Sequence, residues 1–220
     1  MNNFSTEQVA SREKTLLTAL LLSMWAPITT CIAVFLSRST TQLADFIRRS
    51  VELIALFVSW RVFRYLAQNK GLDHDRKTRM EKTAGISVAI ALCCSGIVML
   101  FLALSRFSTF EPGGNVYPGL AVALLGLMVN MWFWRRYARL TLEEYNAIID
   151  TQRLLYRAKV LVDFCVIIAL AAVAFKPAHP VTRLIDVLGS VILAVYLLWC
   201  GARTTQTVML KNKYKFSDFG

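Results

Sequence analysis

Residues Leu43–Ile54 read LADFIRRSVELI and run directly into Ala55–Trp60, ALFVSW. The second stretch is apolar enough for the interior of a bilayer. The first carries Asp45, Arg48, Arg49 and Glu52 at the mouth of that run or within it. A charge at the centre of a membrane helix costs about 2.5–3.5 kcal/mol on the insertion scale. Four charges therefore need a reason. They form a transport site, a structural ion pair, or the sign of a span whose limits lie elsewhere.

The rest of the chain gives this stretch its setting. Its 220 residues are 56% hydrophobic, with a mean hydropathy of +0.49. Soluble domains rarely reach such values, so the class is polytopic membrane protein. The formal charge of +11 fits loops that meet anionic lipid. No soluble basic domain is present to hold nucleic acid. The N-terminus does not read as a signal peptide, because the apolar run Thr15–Leu36 is too long for one. Cys31, Cys93, Cys94, Cys165 and Cys200 all lie inside apolar runs without C-x-x-C spacing, and read as small buried hydrophobes.

Six apolar segments emerge, at roughly 15–37, 41–66, 82–107, 116–139, 143–175 and 181–203. Each is long enough to cross the hydrocarbon layer. Turn residues or charge separate them, in SRST, QNKGLDHDRKTR, FSTFEPGGNVYP, RRYARLTLEE and KPAHP. The expected fold is all-α, a six-helix transmembrane bundle over residues 15–203. Residues 1–14 and 204–220 form short tails. Lys and Arg concentrate in those tails and in the loops after the second and fourth spans. Both termini are therefore expected in the cytoplasm. Trp132, Trp134 and Tyr137 are expected as an interface belt at the inner end of span four.

The charges repeat. Span two holds Asp45, Arg48 and Glu52, and span five holds Asp150, Arg153 and Arg157, with the same i, i+3, i+7 spacing. Such positions fall within about 60° of one another on a helix. Each span has one charged stripe, and span five adds Lys159 and Asp163 as an i,i+4 pair on its other face. Intramembrane charges turn inward and find partners. The simplest packing brings the stripes together, with Glu52 meeting Arg153 or Arg157. A structural network without a substrate, or wet positions for Asp45 and Asp150 near span ends, accounts for the same pattern.

Six spans with polar positions in the second and fifth resemble the cation diffusion facilitator (cation efflux) family of zinc and manganese exporters. The second span carries LAD in register at Leu43–Asp45, and Asp150 occupies the same register in YNAIIDTQRLLYR. Glu81 and Asp186 stand where the family's third and sixth spans open with an acid. The resemblance covers roughly residues 12–205. It implies export of a divalent metal such as zinc in exchange for protons, by alternating access, from a homodimer or a heterodimer with a related transporter. The setting is a bacterial inner membrane or another cellular membrane. In the family, His or Asp and then Asp, four residues apart on each of the two spans, hold the metal. Mapped here, those positions are Arg48, Glu52, Arg153 and Arg157. Guanidinium has no lone pair to give, so the resemblance implies a family site rewritten by Arg. The family's cytoplasmic C-terminal domain has no counterpart in the seventeen residues from 204 to 220.

Three functions follow as expectations: a cation transporter of the family type, a non-transporting relative or partner subunit, and an anion carrier built on the Arg cluster. Asp73, His74 and Asp75 form a weak loop candidate for metal, with a solvated loop as the plainer reading. No resident cofactor is implied. The two His lie in separate loops and no nucleophile or phosphate-binding motif occurs, so an enzyme reading has little footing.

Overall fold

A computed structural model describes residues 6–37, 40–69, 71–108, 117–175 and 180–210. They form six helices: α1 Thr6–Ser37, α2 Thr40–Gln68, α3 His74–Ser108, α4 Tyr117–Glu143, α5 Ala147–Phe175 and α6 Pro180–Leu210. Three of them, over Glu7–Ile32, His74–Ser105 and Val187–Met209, are by themselves long and apolar enough to cross a membrane. The expected turns at Arg38–Ser39, at 109–116 and at 176–179 with His179 lie outside the described residues, as do 211–220. So do the side chains of Asp45, Arg106, Arg183 and Asp186.

The bundle is apolar outside. Trp25, Phe35, Ile54, Ile97, Leu104 and Ile192 are all exposed. In water such a surface would aggregate; in a bilayer it is the solvated face. Buried polar and charged residues, among them Glu52, Ser59, Ser95 and Gln152, lie within. Lipid cannot satisfy polar groups, so they gather in the interior.

Most helices run longer than the apolar segments, while α5 starts at Ala147 rather than at 143. Helix α3 starts at His74 rather than at 82, and α6 continues to Leu210 rather than 203. The largest departure is at RRYARLTLEE, expected as a break. Helix α4 continues through it to Glu143. Phe133, Tyr137 and Leu140 recur at helical spacing and are buried, which keeps one face of the helix apolar through the charged stretch. Tyr137 is thus a core residue rather than part of an interface belt, and its ring packs against Phe133 and Tyr156. Trp132 is exposed. The chain turns at Glu144–Asn146, where Asn146 Oδ1 accepts from the Ile148 and Ile149 amides at 3.0 and 3.3 Å. This caps α5.

Two contacts position the helices around the site. Arg12 of α1 is 1% exposed and donates Nη2–H to the Leu140 carbonyl at 3.1 Å and the Glu144 carbonyl at 2.9 Å. Those carbonyls lie at the end of α4 and in the turn after it, where the Leu140 oxygen otherwise accepts only a long 3.4 Å bond from the Glu144 amide. Arg136 returns the link by donating to Ser11 Oγ at 2.8 Å. The most extensive pairing is α3 with α6. Small residues let these two backbones approach. A Cβ on Gly201 would meet Cys93 Sγ and stand 3.0 Å from the Ala89 carbonyl oxygen. The Gly201→Val variant is expected to lose about 1–3 kcal/mol, the cost of overpacking a filled seam, read as a lower unfolding midpoint in detergent.

A buried charge cluster between four helices

Helices α2 and α5 face one another across the core. Two buried polar contacts fix their antiparallel register. Lys159 Nζ lies 3.2 Å from Glu52 Oε2. Seven residues on in α2 and seven back in α5, Gln152 Nε2 donates to Ser59 Oγ at 2.8 Å. The same register, carried one turn the other way, sets Arg48 against Asp163. Arg48 acts electrostatically on Glu52, Lys159 and Asp163. Four charged groups therefore converge: Arg48 and Glu52 from α2, and Lys159 and Asp163 from α5.

Neighbouring helices complete the cluster. Ser95 of α3 donates Oγ–H to Glu52 Oε1 at 3.0 Å. Asn130 of α4 donates Nδ2–H to Asp163 Oδ2 at 2.7 Å. Gly126, one turn before Asn130, leaves room for the Asp163 carboxylate beside α4. Lys159 Nζ stands 5.0 Å from the centre of the Tyr156 ring, within cation–π range. The Tyr156 hydroxyl meets Ser23 Oγ of α1 at 3.3 Å. Glu52, Ser95, Asn130, Lys159 and Asp163 each fall in the middle third of their helix. Glu52 is 8% exposed, and the Lys159 side chain 13%.

This arrangement corrects the expected one. Glu52 meets Lys159 and not Arg153 or Arg157. Arg153 folds back on Asp150 of its own helix at 2.7 Å, with its side chain 41% exposed. Arg157 is exposed and acts on Tyr196 of α6. The stripe of α5 that faces α2 is the one with Lys159 and Asp163, read from sequence as the other face. Of the six expected site residues, the structure brings Arg48 and Glu52 together. Asp150, Arg153 and Arg157 lie apart from them, and Asp45 has its side chain outside the described residues. Asp73, His74 and Asp75 are all exposed. Among the described residues no three His, Cys, Asp or Glu side chains gather as a metal site.

The correction changes the chemistry. The family pattern places donors four residues apart on each of two spans. Here the facing pairs with that spacing are Arg48 and Glu52, and Lys159 and Asp163. They supply two carboxylates and two cations. A tetrahedral dication needs four donors or three plus water, and Arg48 and protonated Lys159 offer none. The residues do not fit a zinc-type ion. The charge basis for an anion carrier also weakens, because two of its three Arg lie outside the cluster and two carboxylates balance what remains. Sequence reading missed Ser95, Asn130 and Tyr156. A lone Asn in the apolar run of α4 was the available signal.

The Lys159→Met variant is expected to cost about 3–5 kcal/mol, because it strands a buried carboxylate. Adding Glu52→Gln should recover most of that loss. Arg153→Ala should move stability by less than about 1 kcal/mol, since its ion pair is half-exposed. Unfolding midpoints of the four purified proteins check the set.

Residues 16–206 match the cation efflux transmembrane domain. No individual characterised protein matches the chain. The match covers most of the sequence and includes every member of the cluster. With its six helices, apolar exterior and polar centre, the chain belongs to the cation efflux family of membrane proteins.

Proposed function

We propose that the protein moves a cation across its membrane through the Arg48–Glu52–Lys159–Asp163 cluster, with Glu52 as the carboxylate that receives it. One observation carries this reading: a charged, hydrogen-bonded cluster at mid-helix depth inside a bundle with an apolar exterior. Charges at that depth are costly and mark ion pathways. Alternating access would expose Glu52 first to one side and then to the other, with proton movement coupled to it. The Lys and Arg at the ends of α2 and α4 and at the start of α3 support cytoplasmic termini. By resemblance, the working form is a homodimer or a heterodimer with a related transporter.

A second reading has its own support. The Lys159–Glu52 contact already neutralises the carboxylate. A permanently closed pair would bridge α2 and α5 as a bound metal does elsewhere in the family. The protein would then be a non-transporting partner subunit.

Flux in proteoliposomes separates the two. Under the transport reading, the wild-type protein carries at least one of a panel of mono- and divalent cations. Glu52→Gln lowers the initial rate about tenfold or more, as removal of a charge-assisted contact of about 1.5–3 kcal/mol predicts. Flux of no cation, with both proteins equally well folded, would overturn the transport reading.

A further inference from the structure

We infer that the groove between α5 and α6 binds the phosphate of an anionic phospholipid, held between Arg157 and Arg203 and against the Tyr196 and Trp199 rings. This goes beyond the transport reading and does not depend on it.

The inference starts from two cations on the outside of the bundle. Arg157 of α5 and Arg203 of α6 are both exposed. Neither makes an ion pair among the described residues. Two neighbours show the contrast. Arg153, one turn before Arg157, has Asp150 at 2.7 Å. Arg64 of α2 lies over the Trp60 ring at 5.4 Å, as Arg203 lies over Trp199 at 5.2 Å. Arg64 also has Glu13 of α1 at 3.5 Å, and Arg203 has no such carboxylate. A cation on the membrane face of a helix is costly unless an opposite charge meets it.

The two rings join the two arginines. Arg157 is within electrostatic reach of Tyr196. The Tyr196 and Trp199 ring centres stand 6.4 Å apart, and Arg203 lies over the second ring. Helical side chains lean toward the N-terminus of their own helix. Consecutive spans run in opposite directions, and Arg157 lies near Tyr196, two turns before Arg203. The two side chains therefore lean toward one another along the groove. Like charges so placed repel, and one anion between them satisfies both. A ring against one face of a guanidinium leaves its N–H edge free. That edge fits two phosphate oxygens.

The surroundings choose a lipid over a free ion. Leu188, Ile192, Val195 and Trp199 recur at i, i+4, i+7 and i+11, and each is half or more exposed. They make one apolar stripe on α6 that ends at Arg203. A phospholipid held by its phosphate at the arginines would lay an acyl chain along that stripe. Helix α5 meets α6 far less extensively than α3 does, so packing leaves the groove open. The nearby acids of α5 are engaged elsewhere: Asp150 with Arg153, and Asp163 with Asn130 in the interior. Basic pockets between membrane helices take anionic head groups in this way.

The test uses the full chain in mild detergent, titrated separately with phosphatidylglycerol, phosphatidylcholine and inorganic phosphate. Phosphatidylglycerol is expected to raise the unfolding midpoint in a saturable way. The other two, at equal concentration, are expected to leave it unchanged. Arg157→Gln and Arg203→Gln should each raise the half-saturating phosphatidylglycerol concentration about fivefold, the scale of one basic residue beside anionic lipid. Arg135→Gln, which removes an exposed charge from α4, should leave it unchanged. Equal shifts with phosphatidylcholine, saturation by inorganic phosphate alone, or an Arg135→Gln loss as large as that of Arg203→Gln would each overturn the inference. Should either arginine variant unfold, the wild-type protein and Trp199→Phe serve. Phosphatidylglycerol with brominated chains is then expected to quench tryptophan fluorescence more than brominated phosphatidylcholine does, and Trp199→Phe to abolish the excess. Equal quenching, or an excess that survives Trp199→Phe, counts against the site. None of these readouts requires ion flux, so the transport reading and this one can fail separately.

Discussion

The contact between Lys159 and Glu52 sets the register on which the core depends. At 3.2 Å, two unit charges attract by about 5 kcal/mol at an effective dielectric constant of about 20. Stripping water from each ion costs several kcal/mol in return. The pair therefore adds little net stability. What it adds is specificity, because any slip of α5 along α2 would leave two buried charges without partners. Gln152 and Ser59, two turns away, impose the same register through a neutral hydrogen bond. Arg48 and Asp163 follow from it.

Around this seam the other helices supply what α2 and α5 lack. Ser95 takes one Glu52 oxygen from α3, and Asn130 takes one Asp163 oxygen from α4. Ser23 reaches the Tyr156 hydroxyl from α1. Five of the six helices thus contribute a polar atom to one connected centre. At one end of the bundle, Arg12 closes the carbonyl end of α4 and ties α1 to the turn before α5. The apolar surface does the opposite work. Its exposed Trp, Phe and Ile residues hold the bundle in lipid, so the hydrophobic effect fixes where the protein sits while polar contacts fix how its helices register.

Much of this was legible in the sequence, for physical reasons that also mark where legibility ends. Apolar runs of about 20 residues have one stable solution in a bilayer, so six spans follow from hydropathy. Arg48 and Glu52 were visible because charge in such a run is rare. The partner face of α5 was not. Asp150, Arg153 and Arg157 repeat the spacing of α2, and spacing alone favoured them over Lys159 and Asp163. Depth decides between the two sets. Asp150 lies in the first turn of α5, where the half-exposed Arg153 answers it. Lys159 and Asp163 lie at mid-helix, where exposure is not an option. The end of α4 was misread for a related reason. Charges at Arg135, Arg136 and Arg139 suggested a break, yet Phe133, Tyr137 and Leu140 kept one face apolar and the helix continued.

The two kinds of helix contact differ in what they permit. Between α3 and α6 the backbones lie against one another. Gly85, Gly96 and Gly201 leave no space that a Cβ could enter freely. Such a seam cannot slide without collision, because packed interiors are nearly incompressible. Between α2 and α5 the contact is made by long side chains across a wider gap, and few backbone positions approach. Lys159 and Glu52 can separate by rotating about their own bonds, with Ser95, Asp163 and Tyr156 within reach as alternative partners. The α3–α6 pair therefore behaves as one stiff unit, while α2 and α5 are joined by contacts that can exchange partners at small cost. A charge cluster placed in the rigid seam could only be structural. Placed between α2 and α5, it lies where the helices are joined by long side chains and not by backbone contact.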